Sequence, residues 1–485
     1  MNFPLSDLTL IGPHIALTAA ALLCLLAEAF GGAGRKGYLA WIGLAGIAVA
    51  AYLNGCLFGP PRLGFSRMLA GDSFAAFFHG IILVVGALTM LVSDNYLADE
   101  GKNHGEYYCL VLLSMVGMLL MAGATHLLVF FLGLETMSIA IYALAGFTRT
   151  AENAESSFKY FLLGGFSSAF LLYGIALVYA AVGSTQLQDV MAFYKAQPAL
   201  TSSPLAVAGL ALVLVGFCFK VAAVPFHVWT PDVYQGAPTS VTAFMATGVK
   251  AAAFAAFLRV FLTAFHGQFA DWSQVLWVVA VLTMTMGNFA AILQTDVKRM
   301  LAYSSIAHAG YLLVGLVVGT PAAGSGMLFY LLSYAFMNIG AFGCVIMAGR
   351  QGQENTTLDS WAGFGFRFPA LGIAMTLFMF AMAGIPPTGG FIGKFLIFKA
   401  AVKEGYVWLT ILGVMNSAAS VYYYLRVIVV MYFTEPAAGA SPVEKLRSSA
   451  LSVGAALISG VAILWLGVAP ARVVAIAEEA VKIFS

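Results

Sequence analysis

The chain has 485 residues, of which 61% are hydrophobic and only 9% charged, with a mean hydropathy of +0.92. Ordinary soluble domains carry about 25% charged residues, so composition excludes a soluble globular enzyme and, equally, a disordered chain. The 23 Lys+Arg and 21 Asp+Glu leave a formal charge of +2 with no basic run, which excludes nucleic-acid binding on electrostatic grounds.

A hydrocarbon core about 30 Å thick takes about 20 apolar residues per helix, so the bilayer is the solvent this chain is built for. Apolar windows and their punctuation predict about fourteen spans, in chain order near 11–30, 38–58, 74–93, 107–122, 125–146, 160–182, 205–225, 240–265, 272–294, 299–318, 325–348, 369–400, 406–432 and 450–470. The 369–400 window contains Gly and Pro and is counted once, as a broken helix. The first fourteen residues hold no Lys or Arg, so the first apolar run reads as a span and not as a cleaved signal. The polar gaps Gly183 to Pro204 and Gly349 to Arg367 are too short for an extramembrane domain, so residues 1–485 read as a single integral membrane domain.

Cys24, Cys56, Cys109, Cys218 and Cys344 are scattered without a Cys-x-x-Cys, which argues against an iron–sulfur cluster and a disulfide framework. No Gly-x-Gly-x-x-Gly follows a strand-like segment, so no flavin or nicotinamide site is expected. Alternating the loops places Arg35, Lys36, Lys102, Arg149, Lys159, Lys298, Arg299, Arg350, Arg367, Lys445 and Arg447 on one side. The other side holds Arg62, Arg67, Lys195, Lys399, Lys403, Arg472 and Lys482. By the positive-inside rule this bias puts both termini outside the cytoplasm.

The informative residues are the ionisable ones within spans, because each costs several kcal/mol at the bilayer centre unless it faces a partner or a polar cavity. Glu135 lies in FLGLETMSIAIYAL, Lys220 in LVGFCFKVAAVPF, Lys250 in FMATGVKAAAFAAF and Lys394 in GIPPTGGFIGKFLIF. Glu28, Arg259 and Arg426 lie nearer span ends and read as snorkelling side chains. Three buried lysines with one acid are hard to explain as packing. Burial makes a lysine release its proton readily, whereas arginine stays charged, so lysines at membrane depth point to proton transfer.

Two helices read as broken. Pro225 and the polar stretch to Asp232 follow Lys220, and Gly384, Pro386, Pro387, Gly389 and Gly390 precede Lys394. Irregular backbone at depth lines a cavity or is buried in protein, since its freed polar groups must be satisfied. Pro225 and Pro387 are 162 residues apart, and the segments starting near 107 and 272 are offset by about the same distance. That spacing predicts two inverted five-helix repeats, 107–265 and 272–432, with N-terminal helices 1–3 in 1–106 and a C-terminal helix in 433–485. Between them lie candidate relay groups: His308, with Tyr303, Ser304 and Ser305 a turn earlier, and Ser333, Tyr334 and Asn338 on the next span. His79 and His126 read as satisfied bundle histidines.

KVAAVPFHVWTPDVYQGAPTSVTAFMATGVK, DVKRMLAYSSIAHAGY and AGIPPTGGFIGKF together resemble the antiporter-like subunits of respiratory complex I, the proton-translocating NADH:quinone oxidoreductase. The resemblance covers nearly the whole chain, and TPDVYQGAPT and ESSFKYFLLGGFSSAFLLYG are similar to the N-type members. An M-type member would carry Glu where Lys394 stands, and an L-type member a long C-terminal lateral helix that this chain is too short to contain.

The resemblance implies an all-α polytopic fold of about fourteen helices in two inverted repeats. It implies that Glu135 on the fifth helix pairs with Lys220 on the broken seventh, that Lys250 on the eighth continues the path and that Lys394 on the broken twelfth ends it. His308 matches a tenth-helix position on the central axis. The implied neighbours are the K-type and M-type subunits, in a bacterial inner membrane with both termini periplasmic. NADH and quinone are implied as substrates of the whole complex, with no cofactor or metal on this chain.

In physical terms, Glu135 near Lys220 favours the ammonium, and its withdrawal releases the proton, with the three lysines sharing protons as a coupled set. Two rival readings stay open: a subunit of a multisubunit cation/proton antiporter or membrane-bound hydrogenase, and a membrane scaffold that transports nothing.

Overall fold

The computed structural model describes residues 5–31, 36–349, 354–436 and 446–484. Arg35, Arg350 and Lys445 of the charge-bias argument lie outside them. The fold is an all-α bundle in which, among the described residues, thirteen helices are long and apolar enough to cross a membrane, by length and composition. In chain order the bundle's long helices, two of them broken, are α1 (Gly12–Phe30), α2 (Tyr38–Gly55), α3 (Ser73–Asp99), α4 (Gly105–Gly123), α5 (Leu127–Ala145) and α6 (Ala151–Val182). Next come α7 (Pro204–Val221, then Trp229–Gly236), α8 (Thr239–Thr263), α9 (Phe269–Ile292), α10 (Val297–Val318) and α11 (Pro321–Ala348). The last are α12 (Pro369–Ala383, then Gly389–Lys403), α13 (Val407–Phe433) and α14 (Ala450–Val468).

Helix starts follow from local chemistry. Asp72, Ser203, Asp296, Thr320 and Ser449 each accept a hydrogen bond from the backbone N–H three residues on, and Thr150 forms a capping box with Asn153. That box starts α6 at Ala151, nine residues before the predicted span. Small residues then bring helices close, as membrane packing without a hydrophobic drive requires. A Cβ on Gly117 of α4 would stand 2.5 Å from the Gly133 carbonyl of α5, and one on Gly310 of α10 would stand 2.7 Å from the Met284 amide of α9.

Burial sorts the helices: α8, α10 and α11 are enclosed on nearly all sides, whereas α1, α2, α6, α9, α13 and α14 present most of their surface outward. On one face, a short hairpin (Arg62–Gly64 with Leu69–Gly71) and the amphipathic helix Leu187–Ala196 meet through Arg67, which bonds Gln188 and Asp189. The gap after Gly183, too short for an extramembrane domain, thus holds a surface helix. The opposite face is tied by Arg447 to Asp99 and Glu100, and by Arg299 and Lys159 to Asp232.

Candidate proton-transfer site

Both predicted breaks are present, and each puts a lysine at the C-terminal end of a half-helix, where unpaired carbonyls and the helix dipole favour a cation. Lys220 occupies the last turn of the first half of α7, which Ala222 leaves through left-handed backbone at φ 61°. Its Nζ donates to Ser138 Oγ at 2.8 Å, and the rings of Tyr142, Tyr160 and Phe219 stand 5.7–5.9 Å away. Lys394, on the second half of α12, reaches back to the carbonyls of Met382 and Ala383 at 3.0 and 3.1 Å and to Ser417 Oγ at 3.0 Å. Gly384 makes room for it: the backbone there has φ 86°, and a Cβ would meet the Lys394 Cδ at 3.2 Å.

Glu135 is half-buried on α5 and accepts a hydrogen bond from Ser168 of α6. Ser138 stands one turn along the same helix. The carboxylate and the Lys220 ammonium are therefore held by separate hydroxyls, and no ion pair closes between them among the described residues. The direct pairing expected from the resemblance is absent from this conformation, because Ser138 and Ser168 supply the contacts that each group would otherwise take from the other.

Lys250 follows a π-helical turn, Met245–Val249, the kind of helix irregularity frequent at functional sites. Its ammonium donates to both the carbonyl and the hydroxyl of Ser305 on α10, with the Tyr334 ring 5.6 Å away. His308 is wedged between two phenols. Its Nδ1 faces the Tyr330 hydroxyl and its Nε2 the Tyr424 hydroxyl at 2.9 Å, and Tyr424 in turn bonds Ser304. Tyr311 completes the line, its ring 5.7 Å from that of His308 and 4.9 Å from the Lys394 ammonium.

The structure thus joins Lys250, Ser304, Ser305, His308 and Lys394 into one buried cluster and Glu135 with Lys220 into a second. Between them stand Tyr160, stacked on Trp229 at 4.6 Å, and Tyr234, 6.1 Å from Trp229. Tyr303 is not in either cluster; it lies half-buried with its ring 6.0 Å from the Arg299 guanidinium. Pro225 and the Pro386–Pro387 pair lie in the breaks, each in a cis peptide bond. A cavity of about 570 Å³ opens beside Lys394, lined by Gly384, Phe391, Phe398 and Ser417.

Two further charged contacts were not legible as such. Arg259, read as snorkelling, is instead 4% exposed and bidentate to Asp72 at 2.8 Å, with Nε on the Ala122 carbonyl. The bundle offers it a carboxylate, so it has no need of the surface. Burial raises the Asp72 carboxyl, but Arg259 and the Ala75 amide more than offset this and hold it below the ordinary carboxylate value. Glu354, in the loop between α11 and α12, accepts from Lys298 at 2.6 Å, from Tyr96 at 2.7 Å and from the Thr239 amide and hydroxyl at the start of α8. Burial pushes its carboxyl up, but the Lys298 charge and these hydrogen bonds outweigh burial and hold it down. Arg426 donates to the carbonyls of Ile292 and Gln294 at the end of α9.

An all-helical membrane bundle with charged side chains seated at broken helices defines an antiporter-like transport subunit. Residues 124–420 match the family described as NADH:quinone oxidoreductase/Mrp antiporter, TM, and the chain belongs to that family. It is 49% identical over 482 residues to the NADH-quinone oxidoreductase subunit N of Trichlorobacter lovleyi, covering 99% of this chain and 98% of that one. The corresponding protein of Salinibacter ruber is 48% identical over 438 residues, 88% of this chain and 87% of the relative. Among solved structures, a chain of respiratory complex I from Thermus thermophilus superposes with TM-score 0.80 at 34% identity, covering 96% of this chain and 98% of that one. A chain of an archaeal membrane-bound sulfane sulfur reductase superposes with TM-score 0.87 at 25% identity, covering 98% and 97%.

Proposed function

We propose that this chain is the N-type membrane-arm subunit of a proton-translocating NADH:quinone oxidoreductase and that Glu135, Lys220, Lys250 and Lys394 transfer its protons. The observation that carries the reading is the near full-length identity to N-type subunits in a bundle whose central lysines are all enclosed. Lys220, Lys250 and Lys394 are 3%, 2% and 5% exposed, a placement that is costly unless the charge comes and goes or is well partnered. His308, Ser304 and Tyr424 supply exchangeable protons between Lys250 and Lys394. Tyr142, Thr230, Ser333, Tyr334 and Asn338 each present a buried polar atom without a protein partner. Polar sites of this kind are where internal water serves as the remaining link.

In this mechanism the Glu135 carboxylate moves toward or away from Lys220 as the Ser138 and Ser168 contacts exchange. Its approach favours the ammonium and its withdrawal releases a proton toward Lys250. Moving one charge against the membrane potential costs about 2.3 kcal/mol per 100 mV, which the redox chemistry elsewhere in the complex supplies. NADH and quinone act there, and this chain binds neither.

The K-type and M-type subunits are the proposed neighbours in a bacterial inner membrane, with both termini periplasmic on the charge bias. The close α4–α5 and α9–α10 contacts and the two lysine-bearing breaks support the inverted-repeat division at 107–265 and 272–432. The test is NADH-driven quinone reduction and proton-gradient formation in membrane vesicles carrying Glu135→Gln or Lys220→Ala. Loss of both activities with the complex assembled is expected. Full activity and full gradient in both variants would remove the proposal and leave a scaffold.

A further inference from the structure

The helix that carries Glu135 and Ser138 starts on a histidine. His126, half-buried one residue ahead of α5 with φ −138°, accepts the Leu128 amide on its Nδ1 at 3.2 Å, the contact that a Ser, Thr, Asp or Asn oxygen usually makes at a helix start. A backbone N–H only donates, so Nδ1 carries its lone pair. The ring proton then sits on Nε2, which donates to Thr185 Oγ1 at 2.8 Å; these two partners assign a neutral ring and its tautomer. His126 also forms an antiparallel bridge with Gln186, flanked by the Leu127 amide on the Thr185 carbonyl at 2.9 Å and the Leu187 amide on the Thr125 carbonyl at 3.0 Å. The Thr125 hydroxyl in turn donates to the Arg67 carbonyl at 2.7 Å. The head of α5 is thereby tied to the surface helix Leu187–Ala196 and to the hairpin.

A proton on Nδ1 undoes this cap. The imidazolium has an N–H at both nitrogens, so a donor would face the Leu128 donor, and a positive charge would stand on the positive end of the α5 dipole. The charges around the ring do not offset this. Among the described residues Asp189 of the surface helix is the carboxylate whose charge acts on it, and Asp189 is already held by Arg67 of the hairpin and by the Ser184 hydroxyl. Lys195 stands at the far end of that helix, and behind the end of α4 Asp72 is closed onto Arg259 of α8. The turn after α6 offers only the uncharged Ser184, Thr185 and Gln186. Burial holds the imidazole below the ordinary histidine value against the weaker pull of Asp189. We propose that His126 is a positioning residue for the proton switch, capping α5 only while its ring is neutral, and that acid on this face releases the cap. The proton passes from water onto Nδ1, and the hydrogen bond from Leu128 is lost in exchange. The proposal rests on the reading of Glu135 and Lys220 as proton-transfer groups, since Glu135 follows His126 on α5 by about two and a half turns. On the orientation proposed above, this is the face to which protons are delivered.

The experiment is amide hydrogen–deuterium exchange in the whole complex between about pH 5 and pH 8, read at Leu128 by fragmentation mass spectrometry and corrected for the intrinsic chemical rate. Protection of Leu128 is expected to be constant at the alkaline end and to fall by about 2- to 30-fold at the acid end, the equivalent of losing a helix cap. The midpoint of that fall should lie below about 6.5, the ordinary histidine value. His126→Asn, whose side-chain oxygen accepts at every pH, should keep its protection throughout. In vesicles the acid limb of NADH-driven gradient formation should move to lower pH in that variant, which a merely structural role for His126 would not do. Constant Leu128 protection in the wild type down to about pH 5 overturns the cap switch, and so does an equal loss in His126→Asn. An unmoved acid limb beside the expected exchange overturns the positioning role. Full pumping by Glu135→Gln and Lys220→Ala would instead remove the proton-transfer reading and leave the exchange result standing.

Discussion

Ser138→Ala isolates one contact of the Lys220 site. The hydroxyl donates to the Leu134 carbonyl at 2.5 Å and accepts from Lys220 at 2.8 Å, and it is the one hydrogen-bond acceptor of the ammonium among the described residues. A hydrogen bond to a charged group contributes about 1.5–3 kcal/mol. The three rings around Nζ stand 5.7–5.9 Å from it, at the edge of the roughly 6 Å range in which cation–π attraction counts, so they cannot replace that bond. Glu135 is held by Ser168 and closes no ion pair with the lysine. The charged form of Lys220 should therefore lose roughly 10- to 150-fold in its equilibrium with the neutral form. Measured in vesicles as gradient formation driven by NADH, Ser138→Ala should pump at least several-fold slower with the complex assembled. Ser138→Thr, which keeps the hydroxyl, should restore most of the rate. Wild-type pumping by Ser138→Ala would refute the assignment of this hydroxyl as the seat of the Lys220 charge.

Asp72 and Arg259 form a buried bidentate pair, so Arg259→Met alone should destabilise the protein by about 3–5 kcal/mol by stranding the carboxylate. Adding Asp72→Asn, which keeps the helix cap, should recover most of that in the thermal denaturation of the solubilised complex; a double variant as unstable as the single one would contradict the pairing. Glu354 is a carboxyl held below its unfolded value, so its contribution is present above about pH 4.3 and disappears as pH falls through the folded value. The gap in thermal midpoint between wild type and Glu354→Gln should therefore be constant near neutrality and close below about pH 4.3; a gap that widens on acidification would reverse the sign.

The membrane class, the helices and both breaks were readable because their causes are local: apolar runs of span length, and Gly and Pro beside Lys220 and Lys394. The four central ionisable residues stood out because charge inside an apolar run is conspicuous whatever surrounds it. Their partners were not. Ser138 and Ser168 are ordinary helix serines in sequence, and Tyr330 and Tyr424 join His308 only through packing of α10, α11 and α13. Arg259 was misread because its partner Asp72 is 187 residues away, and a charge near a span end carries no sign of whether it turns outward or inward. The π-turn before Lys250, in the most enclosed helix of the bundle, has no local signature in FMATGVK.

The most direct test of the account is proton translocation by a reconstituted complex carrying Lys250→Ala. Lys250 is enclosed, has no carboxylate partner among the described residues and is seated on Ser305, so a purely structural role leaves little reason for its charge. The account predicts an assembled complex that has lost both NADH-driven quinone reduction and the proton gradient. Full reduction with a full gradient in that variant would contradict it.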